Sequence, residues 1–100
     1  MNQKNIDTIY EATPDPALYE QLSEECAELC HAALKVARIL RRENPTPVSL
    51  EEAFNNMLEE VSDVQLCMTV LALEPKQKII EQKMQRWVDR IEGWKRKNEL

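Results

Sequence analysis

The sequence is poor in the residues that turn a chain sharply. It contains one glycine and five prolines in 100 residues. A β-sheet protein needs many tight turns, and tight turns draw on glycine, so this composition argues against a turn-rich β fold and favours a few long helices. With 43% hydrophobic and 31% charged residues, the chain has the composition of one small globular domain.

The sequence also lacks a net positive charge, a disulfide-framework spacing of cysteines and a long apolar run. The net charge of −5 argues against a nucleic-acid partner, because proteins that bind nucleic acids generally carry basic surfaces. No apolar run approaches transmembrane length and no signal peptide is recognised, so we expect no membrane partner. Cys26, Cys30 and Cys67 lack the spacing of a disulfide framework, which indicates a reducing, cytoplasmic location.

Hydrophobic periodicity and helix boundary signals predict three main helices. Asp15-Pro16 is a good helix start, with Asp15 as the N-cap. A linker with two prolines follows at 44–48, and Ser49 with Glu52 then matches a capping box. The predicted helices span about residues 16–42, 50–73 and 76–97.

The ends of the chain and the second helix suggest how the domain is completed. Residues 1–15 show no sustained period and are predicted to form an N-terminal arm, with at most one turn at Ile6–Tyr10; residues 16–97 form the domain. The end of the second helix, Val64–Leu73, is apolar nearly all round and must be covered on more than one side. We therefore expect an all-α fold in which three main helices form a bundle completed by oligomerisation, as a homodimer or homotetramer.

Two acidic pairs interrupt the apolar pattern. Glu25 and Glu28 lie three residues apart on the first helix, and Glu60 and Asp63 do so on the second, so each pair shares one helix face. Glu25 falls in the middle of an apolar stripe, where a solvated glutamate does not belong. Two antiparallel helices can bring both pairs together. Convergent carboxylates repel one another unless they hold a divalent cation, with Mg²⁺ or Mn²⁺ the usual choices.

The two acidic segments also resemble a family signature. Glu24-Glu25-x-x-Glu28 followed by Glu60-x-x-Asp63 is similar to the EExxE…ExxD motif of the MazG-like all-α nucleoside triphosphate pyrophosphohydrolases, over roughly residues 16–95. The resemblance implies that Glu25, Glu28, Glu60 and Asp63 bind Mg²⁺. It implies hydrolysis of a (deoxy)nucleoside triphosphate to the monophosphate and pyrophosphate, in which Glu24 positions or deprotonates the attacking water.

A polyphosphate substrate also calls for fixed positive charge. Lys83 and Arg86 lie along one flank of the apolar stripe of the third helix, with Lys76 and Arg90 as further candidates. We predict that Lys83 and Arg86 bind the substrate phosphates. The alternative interpretation is a solvated basic surface.

Two other classes of function stay open at this point. Glu28-x-x-His31 has the Glu-x-x-His spacing of di-iron carboxylate bundles, which would indicate a redox metalloprotein. A catalytically silent helical dimerisation module is the other possibility, in which the acidic pairs are only surface charge. Cys26, Cys30 and His31 lack a proper zinc spacing, and the cysteines are interpreted as small apolar helix residues. No pattern in the sequence specifies the preferred base or sugar.

Overall fold

The computed structural model of this chain describes residues 1–42, 45 and 47–99. Throughout these ranges the regular structure is helical, which confirms the all-α class. The helices are α1 (Gln3–Ala12), α2 (Asp15–Arg41), α3 (Leu50–Val70) and α4 (Gln77–Glu99). Helices α2, α3 and α4 correspond to the three predicted ones. In the described part of the chain, no helix is both long enough and apolar enough to cross a bilayer.

The N-terminal arm is a helix, so the prediction that residues 1–15 lack sustained structure was wrong. Helix α1 begins where the Asn2 side chain accepts a hydrogen bond from the Asn5 backbone N–H at 3.3 Å. It packs against α3. Ten residues are too few for an isolated helix to be stable in water, so this helix depends on tertiary packing that periodicity does not reveal.

The beginnings of α2 and α3 follow local capping chemistry. Helix α2 begins at Asp15 itself, with Pro14 in the cap position, so the prediction of Asp15 as N-cap was wrong by one residue. Its carboxylate lies in the first turn instead, where the helix dipole favours negative charge. At α3, the Ser49 hydroxyl accepts a hydrogen bond from the Glu52 N–H at 3.1 Å, as the capping box predicts. In the predicted linker, positions 44 and 46 lie outside the described residues.

Helix α3 ends in a Schellman motif. Ala72 takes the left-handed conformation, with φ at 56°. The Ala72 N–H donates to the Thr69 carbonyl at 3.1 Å, and the Leu73 N–H donates to the Met68 carbonyl at 2.8 Å. These two bonds satisfy carbonyls that the helix end would leave without a partner, and they turn the chain toward α4.

The core lies between α2 and α3, which pack along their lengths. Its buried side chains are Leu18, Ala32 and Val36 from α2, and Ala53 and Val70 from α3. Among the described residues no polar side chain is fully buried. Two of the five core residues are alanines, so the single chain has a small hydrophobic core.

Several large apolar side chains of α3 face outward. Leu50, Phe54 and Val61 are 43%, 46% and 44% exposed. Leu40, near the C-terminal end of α2, is 63% exposed. Because these side chains stay substantially exposed in the single chain, this apolar surface is available to a partner.

Helix α4 shares no packed interface with the other described helices. Each of its residues is exposed except Gly93, which is half-buried. The radius of gyration is 18.4 Å, whereas a compact domain of 100 residues has about 13 Å. The chain is therefore an α2–α3 hairpin with α1 packed on α3 and α4 extended as an arm.

Candidate metal centre

Three carboxylates from two helices converge within the α2–α3 interface. Glu25, Glu60 and Asp63 each place one oxygen so that the three atoms lie within 4.8 Å of one another. The three-residue spacing puts Glu60 and Asp63 on one face of α3, and the hairpin sets that face against α2. The structure thus brings together three of the four residues predicted as metal ligands.

Two oxygens of this cluster are enclosed and have no hydrogen-bond partner. They are the Oε2 atoms of Glu25 and Glu60, whose residues are half-buried as a whole. The other carboxylate oxygen of Glu25 accepts a hydrogen bond from the Gln21 side-chain amide at 2.7 Å. Enclosed acceptors without a partner are rare because they lose their hydration and gain nothing in exchange. A cation bound between the two helices would satisfy both oxygens.

The electrostatics of the cluster point the same way. Burial raises the pKa of Glu25 above its ordinary value; the hydrogen bond from Gln21 opposes this rise, and the charges of Glu28 and Asp63 add to it. Burial also raises the pKa of Glu60. A side-chain hydrogen bond with Glu28 and the charge of Glu28 raise this pKa further. Both carboxylates are therefore more reluctant to ionise than free glutamate. A divalent cation would reverse this, because it favours the charged forms.

Glu28 borders the cluster. It is exposed, and it is not one of the three residues whose oxygens converge. Its negative charge contributes, after burial, to the raised pKa of Glu60. Its role as a fourth ligand stays a prediction. Glu24, the predicted catalytic residue, is also exposed on α2 and does not belong to the converging group.

The predicted phosphate-binding cations are not part of this cluster. Lys83 and Arg86 are exposed on α4, which has no packed interface with α2 or α3. One chain therefore does not assemble the acidic and basic halves of the predicted site. If Lys83 and Arg86 meet a substrate held at the carboxylates, another copy has to supply them.

The alternative ligands lie outside the cluster. His31, Cys26 and Cys30 are exposed, and the converging group in the described residues contains carboxylates only. Cys67 is half-buried next to the cluster; burial raises the pKa of its thiol, and the nearby negative charges raise it further. The thiol therefore stays protonated at neutral pH, which disfavours it as a metal ligand or nucleophile.

Sequence reasoning missed the surroundings of Glu25. A cavity of about 170 Å³ adjoins its carboxylate, with Gln21 and Asp63 also on its polar side. Its apolar wall comes from all of the first three helices: Ile9, Leu18, Leu66, Cys67 and Val70. The spacing of Gln21 and Glu25, four residues apart on a helix, was a signal for their hydrogen bond. Nothing in the sequence indicated that α1 contributes Ile9 to the wall of the cavity, since that helix was not predicted.

No protein-family model matches this chain, and comparisons with curated proteins and with solved structures find no similar protein. The MazG-like resemblance is thus carried by the motif residues alone, and the activity it implies is a proposal.

Proposed function

We propose that this chain is a Mg²⁺-dependent nucleotide pyrophosphohydrolase, which cleaves a (deoxy)nucleoside triphosphate to the monophosphate and pyrophosphate. The observation that carries the proposal is the convergence of Glu25, Glu60 and Asp63, with two enclosed oxygens that lack a partner. The order of the acidic motifs, EExxE on α2 and ExxD on α3, supports the same function.

The donor set selects the class of cation. The converging atoms are carboxylate oxygens, which suit the hard cations Mg²⁺ and Mn²⁺ better than zinc or iron. Mg²⁺ prefers six oxygen ligands, so three protein oxygens leave positions for water and for substrate phosphates. An incomplete protein cage of this kind is typical of catalytic rather than purely structural sites. Nothing in the position of His31, exposed and outside the group, favours the di-iron alternative.

The proposed chemistry is attack by water on a phosphorus atom. The oxygen of water forms a bond to that phosphorus, the bond to the bridging oxygen breaks, and pyrophosphate leaves. Glu24 positions the water or accepts the proton that it gives up, and Glu25, Glu60 and Asp63, with Glu28 as the fourth predicted ligand, would hold the cation. Bound Mg²⁺ would neutralise the phosphate charge and permit an acidic site to take an anionic substrate.

The cellular setting and assembly belong to the same proposal. We place the enzyme in the cytoplasm, as a homodimer or homotetramer, with a nucleoside triphosphate as its substrate and no nucleic-acid or membrane partner. A catalytically silent dimerisation module is the competing function, because it would explain the exposed apolar surfaces of α3 and α4 equally well.

Pyrophosphate release from a panel of deoxynucleoside and nucleoside triphosphates, with Mg²⁺ and with EDTA, tests the proposal. We expect Mg²⁺-dependent release from at least one nucleotide. The Glu25→Gln variant should lose this activity while keeping its helical content. Glu20→Gln, the same change at an exposed position of α2, should keep it. Silence across the panel, together with no detectable Mg²⁺ or Mn²⁺ binding, would leave the dimerisation module as the better explanation.

A further inference from the structure

Helix α4 carries an unpartnered apolar row with the spacing of a helix–helix seam. The row is Ile80, Met84, Trp87, Ile91 and Trp94, in steps of four, three, four and three residues. Trp87 and Trp94 are 66% and 65% exposed. Such steps keep apolar residues on one line along a helix that faces another helix. Two tryptophans exposed on that line indicate that the facing helices are missing from the single chain.

The exposed area is large enough for a permanent interface. The chain exposes 8454 Å², whereas a compact protein of 11.7 kDa exposes roughly 5,900 Å². The excess, roughly 2,600 Å² per chain, exceeds the ~800 Å² that each partner contributes to an interface of standard size. For two copies the excess is roughly 5,200 Å², which lies at the upper end of the 2,000–5,000 Å² or more that obligate homodimers bury in total.

Charge identifies the surface that α4 fits. Helix α4 has seven Lys or Arg residues and four acidic ones, whereas α3 has five acidic residues and no Lys or Arg. One flank of the α4 row is basic at every seventh position, at Lys83, Arg90 and Lys97, and Lys76 continues this spacing just before the helix. Flanking charges of this kind set the choice of partner helix. In an antiparallel α4–α4 pair, the two basic flanks would face each other and repel. Helix α3 instead presents negative charge to the basic flank.

We propose that α4 docks in trans on the outward face of the α2–α3 hairpin of a second copy of this chain, and that the second copy returns the same contact. The apolar row of α4 packs on the exposed stripe of α3 that contains Phe54, Leu58 and Val61. The basic flank then faces the acidic surface of α3. A two-fold pairing of this kind is closed and buries the arm of each copy.

The exchange also brings both halves of the predicted site to one α3 helix, with the arm on its outward face and the carboxylates on the face toward α2. In the paired molecule, Lys83 and Arg86 of one copy come to the helix of the other copy that carries Glu60 and Asp63. This consequence rests on the proposed function, whereas the docking of α4 does not. The mass of the protein in solution therefore tests the docking without any assay of activity.

The test is sedimentation of the full chain, with matched variants. We expect a stable dimer of the wild-type protein. Trp87→Glu should weaken association by at least tenfold in the dissociation constant, while Gln85→Glu, an exposed change away from the row, should leave it unaltered. A wild-type monomer, compact or extended, would overturn the proposal, and so would a dimer that Trp87→Glu leaves intact. Far-UV circular dichroism checks that α2 and α3 persist in each variant.

Charge reversal separates docking on α3 from pairing of two α4 helices. Lys83→Glu with Arg90→Glu reverses the charge of the basic flank of α4. Glu51→Lys with Glu59→Lys reverses the charge of the exposed surface of α3. Each double variant alone should dissociate, and an equimolar mixture should form a heterodimer, since both of its contacts then join opposite charges. If the α3 variant alone stays dimeric while the Trp87 variant dissociates, α4 pairs with α4 and the proposed docking surface is wrong.

Discussion

Replacing Glu60 with glutamine removes one of three converging negative charges and keeps the size of the side chain. In the wild-type protein, Mg²⁺ would bind the three carboxylate oxygens that lie within 4.8 Å of one another. The variant offers two carboxylates and one amide. We expect it to bind Mg²⁺ at least ~100-fold more weakly, because changes to residues that merely support a metal ligand already cost ~10–100-fold in affinity. Turnover that depends on Mg²⁺ should be lost with it.

The same substitution has a predictable effect on thermal unfolding. A ligand at about 100 times its Kd stabilises the folded state enough to raise the Tm of a domain of this size by roughly 10–20 °C. The weakened Kd of Glu60→Gln equals that same Mg²⁺ concentration. The Mg²⁺-induced rise in the Tm of the variant is therefore only roughly 2–3 °C. In EDTA the order should reverse, with the variant melting above the wild type, since the unpaired charge of Glu60 is gone.

Differential scanning fluorimetry with and without Mg²⁺, at one fixed protein concentration, measures both effects. The concentration is fixed because association also shifts the Tm. Glu20→Gln, the same change at an exposed position of α2 outside the cluster and the proposed docking surface, serves as the control and should behave like the wild type. Equal Mg²⁺-induced shifts in wild type and Glu60→Gln would refute the metal centre. A variant that melts below the wild type in EDTA would refute the repulsion ascribed to the cluster.

Three further predictions concern the effect of pH on stability, the C-terminal end of α3, and the basic residues of α4. Glu25 and Glu60 have raised pKa values in the folded state, so their stabilising contribution is full below pH 4.5 and is lost as the pH rises through the raised values. Over that window the metal-free wild type should lose stability relative to the Glu25→Gln/Glu60→Gln variant. Parallel curves of stability against pH in EDTA would contradict this. Ala72→Gly should stabilise the protein by about 0.5–1 kcal/mol in urea titrations, since glycine takes the left-handed conformation without strain, and a loss of stability would contradict the cap assigned to α3. Lys83→Ala and Arg86→Ala should each raise KM by about tenfold with little change in kcat, as expected for residues that hold phosphate, and an unchanged KM would return them to the solvated surface.

The three long helices were predictable because their signals are local. Proline positions and the Ser49 cap set the boundaries, and the periods of α2 and α4 extend over many turns. Helix α1 was not predictable on those grounds, since it has one apolar turn and depends on contact with α3. Which face of α3 meets α2 was not predictable either. The helix is apolar on more than one side, and pattern alone does not say which side faces the chain and which side faces a partner.

The spacing of the acidic residues predicted the convergence of the three carboxylates. It did not predict the position of Glu28 or the hydrogen bond from Gln21. Glu25, Glu60 and Asp63 converge as the two acidic pairs required, because position within a helix fixes the direction of a side chain. Glu28 borders the group, since a step of three residues turns its side chain about 60° away from Glu25 around the helix, toward the surface. The hydrogen bond from Gln21 to Glu25 depends on side-chain rotamers, which spacing permits but does not determine.

The position of the carboxylates in the interface links stability to function. Along the hairpin, Leu18 and Val70 lie at one end of the core, and Val36 and Ala53 lie toward the other. The acidic cluster falls between them, so its repulsion acts at the middle of the largest interface between the described helices. A hydrophobic pair at this position would make a more stable hairpin, which means that the carboxylates cost stability in the metal-free protein. Two partners can offset that cost: a cation between α2 and α3, and the arm of a second copy across α3. Metal binding and assembly should therefore each strengthen the same two-helix unit, from its inner and its outer face.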